Sequence, residues 1–184
     1  MANGTLKVEN IQTSSGSGTI TLGQSGETIA LGSGVTNNSS TPILFIKKQD
    51  DQNLTDATLT KITFTNVSSS IIDTDNAFST SDSKFTVPSD KAGKYLITYG
   101  FQSFNSSNDI YSVYTMVYIN GSNYQGSLGQ TTDNGTTARH MFIQGVRTAT
   151  LSAGDEIEFY AYVDVNSGTA VSSGDTYVNI MRIG

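Results

Sequence analysis

The 184-residue chain is 36% hydrophobic and only 14% charged, with 18 Gly, two Pro, no Cys and no Trp. A formal net charge of −6 and a pI near 4.5 exclude a phosphate-binding surface of clustered Lys and Arg. The lack of Cys excludes a disulfide framework, and nine Tyr with eight Phe supply a core that generic disorder would lack.

Residues 1–40 are poor in aromatics and rich in Gly, Ser and Thr. Within them Thr19-Ile20-Thr21-Leu22-Gly23 is echoed by Thr28-Ile29-Ala30-Leu31-Gly32, each alternating polar with apolar and closing on Gly. Two such units bury too little surface to stand alone. One reading is a flexible tail. The reading preferred here is an arm ordered against a neighbour, with Leu6, Val8, Ile11, Ile20, Leu22, Ile29 and Leu31 as its attachment residues, because periodic Ile and Leu are foreign to a plain linker. The start, Met1-Ala2-Asn3-Gly4-Thr5, lacks the basic and apolar regions of a signal peptide. That gives the expectation of a chain made in a cytoplasm and retained there or released by lysis. No apolar run reaches the ~18–20 residues of a membrane span, so neither nucleic acid nor a bilayer interior is an expected partner.

From residue 41 the pattern is continuous β. Ile43-Leu44-Phe45-Ile46 is a short apolar run, and Lys61-Ile62-Thr63-Phe64-Thr65 alternates. In residues 93–104, Tyr95, Ile97, Tyr99 and Phe101 share one face and predict a buried row. Residues 112–119 set Val113, Val117 and Ile119 against Tyr114, Met116 and Tyr118, and Asn120-Gly121 then predicts a hairpin turn. Residues 156–164 set Ile157, Phe159, Ala161 and Val163 against Glu158, Tyr160 and Tyr162, and residues 176–183 close the chain. Several strands are apolar on both faces, whereas a monomeric sandwich keeps one face of each strand wet. Tyr on the second face suits a packed interface that still needs hydrogen-bond partners. This pattern predicts an oligomer, with Tyr95, Tyr99, Tyr160, Tyr162 and Tyr177 as interface candidates.

Three passages resemble the globular head of the complement-one-q family, a branch of the tumour-necrosis-factor-like jelly rolls. The first is Ile62-Thr63-Phe64-Thr65-Asn66-Val67 with the loop at residues 73–78. The second is Phe85-Thr86-Val87-Pro88 followed by Gly93-Lys94-Tyr95 and its aromatic strand. The third is residues 146–151, the turn Ser152-Ala153-Gly154-Asp155-Glu156-Ile157, and the closing strand at 177–183. The resemblance spans residues 41–184 and implies an all-β, antiparallel jelly-roll sandwich that forms a homotrimer. Two departures stand out: Asp75-Asn76-Ala77-Phe78 replaces the family's usual Tyr-containing loop, and no Gly-x-y stalk is present. The segment Gly4-Thr5-Leu6-Lys7-Val8-Glu9-Asn10-Ile11-Gln12 is similar to the opening of virion proteins of marine and cyanobacterial tailed phages. Together these imply a non-enzymatic structural virion protein. Its arm, residues 1–40, would contact other virion proteins, and its head, residues 41–184, would serve as a tail fibre or knob for host attachment or as a capsid decoration. A host surface glycan is a candidate partner, with Tyr124 and the loop 105–111 as candidate contacts. A free-standing lectin-like extracellular trimer is the alternative, and a glycan hydrolase a remote one.

Chemistry-bearing motifs are sparse. The single histidine, His140, has no Gly-x-Ser-x-Gly elbow or Cys to serve, so a structural strand-end role is expected. One His without Cys supplies zinc poorly, and Asp73, Asp75, Asp50 and Asp51 lack the spacing of a calcium loop. Glu156 and Glu158 share a strand face, where mutual repulsion and solvation explain them better than glycoside cleavage. No catalytic residue, cofactor or metal is expected.

Overall fold

The computed structural model describes residues 43–68, 71–107, 109–132 and 138–184, with residues 125–132 as backbone alone. The attachment residues Leu6, Val8, Ile11, Ile20, Leu22, Ile29 and Leu31, and the boundary expected near residue 40, lie outside that set. All regular structure described is strand. The order is β1 (Ile43–Lys47), β2 (Gln52–Leu54), β3 (Thr60–Lys61), β4 (Ile72–Asp73), β5 (Phe78–Ser79), β6 (Lys84–Thr86), β7 (Gly93–Asn105), β8 (Ile110–Ile119), β9 (Ser122–Thr132), β10 (His140–Leu151), β11 (Glu156–Val165), β12 (Ala170–Ser172) and β13 (Tyr177–Arg182).

These strands form two antiparallel sheets. The first is built on β7, whose one edge pairs along its length with β10, from Leu151↔Gly93 to His140↔Phe104. Its other edge is shared in series by β13 and β12; β13 passes on to β1 and β4, and β12 to β2. The second sheet runs β5-β6-β11-β8-β9, with β3 added to β11. This is the all-β antiparallel sandwich expected.

Period-two alternation fixes what each sheet turns inward. On β11, Ile157, Phe159, Ala161, Val163 and Val165 are buried while Glu156, Glu158, Tyr160, Tyr162 and Asp164 face outward. On β7, Tyr95, Ile97, Tyr99 and Phe101 are fully enclosed. The two rows meet where the Tyr99 and Phe159 rings lie 5.0 Å apart, and Phe64 packs edge-on to Phe159 at 6.4 Å. Pro88 stands just past β6, where its missing N–H costs no ladder bond.

The predicted Asn120-Gly121 turn is present, both residues at positive φ (51° and 73°). Asn120 also braces a second hairpin: its Nδ2 donates to Asp155 Oδ1 at 2.8 Å, and its Oδ1 accepts from the Glu156 N–H at 2.9 Å. Two strands go beyond the sequence reading. β10 is a twelve-residue partner of β7, and β9 continues the hairpin that starts at Asn120-Gly121. Tyr124, a candidate glycan contact, therefore sits in a strand and packs against the core, with its hydroxyl 3.4 Å from the Thr148 carbonyl oxygen.

Candidate functional site

The five interface tyrosines do not form one surface. Tyr95 and Tyr99 belong to the inward row of β7 and are enclosed by their own chain, so neither has surface left for a partner. That corrects their assignment to an interface. Tyr160 and Tyr162 point outward from the second sheet, and Tyr177 outward from the first, so the remaining three lie on opposite sides of the sandwich.

The outer face of the first sheet carries an apolar band among polar residues, with Lys47 and Gln144 in the same row as Tyr177. Across its strands the register aligns Ile72, Phe45, Asn179, Thr98 and Val146 in one row and Ile43, Met181, Leu96 and Thr148 in the next. At the two edges of the face Ile72 is 50% exposed, Phe142 49% and Val146 51%. Tyr177 lies at the centre, within 6.1 Å of the Phe45 ring and 6.4 Å of the Phe142 ring. Its ring rests on Gly100: a Cβ there would stand 2.3 Å from the ring, so a glycine is needed to seat it.

The outer face of the second sheet has a different character. Tyr162 pairs directly with Tyr114 across β11 and β8, rings stacked at 5.0 Å. Tyr160 meets Tyr118 diagonally at 4.1 Å, with Met116 opposite Tyr160. Burial raises the Tyr160 phenol pKa, as does the nearby Glu158 carboxylate; Tyr162 is raised by burial and by Asp164. Both phenols thus stay protonated at ordinary pH. Glu156 and Glu158 do not simply repel one another into solvent: Lys84 pairs with Glu156 at 2.6 Å, and Lys61 with Glu158.

Residues suited to chemistry are occupied by structure. His140 opens β10 and packs against Phe104, the rings tilted and their centroids 4.9 Å apart. Asp73 accepts from the Ala77 and Phe78 N–H groups at 2.9 Å each, holding the turn before β5. In the loop 105–111, Asn105 donates to the Ser167 carbonyl oxygen at 3.0 Å and Asp109 accepts from the Ser167 hydroxyl at 2.5 Å. The polar groups expected there to read a ligand instead staple two loops together. A shallow groove of about 630 Å³ lies between Asp75, Phe78, Pro88 and Gly154, and the Ser79 hydroxyl on its wall donates to Asp82 Oδ2 at 3.0 Å. Among the described residues no three His, Cys, Asp or Glu side chains cluster to hold a metal, and no helix is long and apolar enough to cross a membrane.

The sandwich superposes on the globular domain of the zebrafish complement 1qA protein with a TM-score of 0.51 at 14% identity, covering 78% of this chain and 98% of that one. The fold is the C1q and TNF jelly roll. Eiger TNF from S. frugiperda gives the same TM-score of 0.51 at 9% identity, covering 78% of this chain and 93% of that one. No protein-family model and no curated protein matches the chain. At these identities the likeness defines the fold alone. The residues that sequence reasoning missed are Phe142 and Val146, whose signal was their spacing, four apart on a strand that pairs with the longest one.

Proposed function

We propose that the chain is a non-enzymatic homotrimeric head of a tailed-phage virion, assembled through the outer face of its first sheet and attached to the particle by residues 1–40. The observation that carries the assembly is the apolar band running from Ile72 through Phe45 and Tyr177 to Phe142 and Val146. A two-fold, face-to-face dimer would cover the centre of that band and leave its two half-exposed edges wet. A closed ring, with the β10 edge of each chain on the face of the next, covers both. Three copies close such a ring in the arrangement that the jelly-roll resemblance implies.

Placement on a virion is supported by the resemblance of residues 4–12 to phage virion openings, and by a jelly roll whose polar side chains hold loops rather than form a reaction centre. Whether the head sits on a tail or on a capsid is answered by immunogold electron microscopy with antibody to this chain. Labelled heads or tails are expected, and unlabelled particles from a lysate that contains the protein would end the virion reading. Removing residues 1–40 should leave a folded head that no longer labels particles. A truncated head that still attaches would assign the arm another role.

A further inference from the structure

We propose that the tyrosine face of the second sheet is a binding surface for a neutral glycan, with sugar rings lying along the Tyr162–Tyr114 and Tyr160–Tyr118 pairs. The proposal rests on the reading above insofar as assembly through the first sheet leaves this face outward.

The platform is preorganised. The four rings stand on two neighbouring, hydrogen-bonded strands, pair by pair at 5.0 and 4.1 Å. Tyr160 and Tyr162 are two residues apart, about 7 Å along the strand, so the rings present a strip suited to a short oligosaccharide. Within the described residues none of the four phenol hydroxyls is hydrogen-bonded to another protein group, and each can donate and accept outward. A saccharide is complementary in both respects: its C–H patches pack against the exposed parts of the paired rings and its hydroxyls meet the phenols.

Charge selects against other occupants. Glu156 and Glu158 beside the rings are already paired with Lys84 and Lys61, so among the described residues of this face no lysine is left over to hold a polyanion. Tyr and Met also suit a protein interface, but the charged residues that flank them here, Glu156, Glu158 and Asp164, are depleted at the centre of one. The first sheet, with Phe, Ile, Leu, Val and Met in the corresponding places, shows what this chain builds for such an interface.

Methionine methyl groups report on the two faces separately, because Met116 lies on the tyrosine face and Met181 on the outer face of the first sheet. The experiment is ¹³C-methyl NMR of the full chain, titrated with neutral hexasaccharides of glucose, mannose and galactose. At least one series should shift the Met116 methyl and leave Met181 in place. Tyr160→Ala should weaken that response at least tenfold and Tyr160→Phe much less, since it keeps the ring. Silence at Met116 with all three sugars, a shift at Met181 instead, or full affinity in Tyr160→Ala would each overturn the proposal. Should Tyr160→Ala fail to fold, the wild-type titration and the Phe variant still decide. Dilution separates the two readings: a Met116 shift on dissociation would make the tyrosine face a subunit contact and refute glycan binding there. A monomeric chain that still binds sugar at Met116 would refute the assembly alone.

Discussion

Tyr99 shows how a single side chain can be well placed for packing and poorly placed for hydrogen bonding. Its ring packs against Phe101 and Phe159, yet its hydroxyl has no partner among the described residues, and burial holds its pKa well above the usual phenol value. A buried donor left unpaired costs about 1–3 kcal/mol, whereas the ring itself contributes heavily. Tyr99→Phe should therefore be neutral or stabilising by up to about 1 kcal/mol, while Tyr99→Ala should lose about 3–5 kcal/mol. Urea melts of the two variants check this, with Tyr111→Ala as the exposed control. A clear loss in Tyr99→Phe would mean that the hydroxyl has a partner after all.

Lys48 is the second residue whose position costs energy. Its side chain is wholly buried, with Nζ donating to Asp50 Oδ1 at 2.9 Å and to the Thr63 carbonyl oxygen at 2.8 Å. Burial pushes the Asp50 carboxyl up, but the Lys48 ammonium outweighs it and the net shift is downward. A carboxyl depressed on folding stabilises above its unfolded value, near 3.9, and that contribution disappears as pH falls through the folded value. Asp50→Asn should cost about 1–2 kcal/mol at pH 7, less than a fully buried pair because Asp50 is one-third exposed. The gap to wild type should shrink in melts below about pH 4. An equal gap at pH 7 and pH 3 would contradict the pairing.

Among elements, the strands with clean alternation were legible in the sequence: β11 and the inner row of β7 separate apolar from polar at every second residue, and the Asn120-Gly121 turn announced its hairpin. β10 was not. Its inward side reads Ile143, Gly145, Arg147, Ala149 and its outward side mixes Phe142 and Val146 with Gln144, Thr148 and Thr150, so apolar and polar residues do not separate onto two faces to mark it. The tyrosines failed for a related reason. Periodicity tells which residues share a face but not which face meets the other sheet, so Tyr95 and Tyr99 went to an interface when the second sheet covers them. The outer face of the first sheet offers its own test in Gly100. A methyl group there collides with the Tyr177 ring, which can swing outward because it lies on the surface. Gly100→Ala should leave the melting of the monomeric fold nearly unchanged and weaken self-association tenfold or more, read by sedimentation equilibrium. Unfolding of the domain instead would show that Tyr177 cannot move.

For the molecule as a whole, the work is proposed to divide between two faces: one with an apolar band for assembly, and a tyrosine face whose two glutamates are paired with lysines. The inner core and the fold follow from strand patterning, while the division between the faces needs the pairing register. Substituting a carboxylate into the first face tests that division, because an unpaired charge is costly only if the face is buried. Val146→Asp should therefore give a folded monomer with wild-type circular dichroism. The most direct measurement is the mass of the wild-type chain by multi-angle light scattering at micromolar concentration, run beside Val146→Asp. Three copies of a 19.6 kDa chain, about 59 kDa, are expected for the wild type and a single chain for the variant. A wild-type mass of one chain would contradict the account.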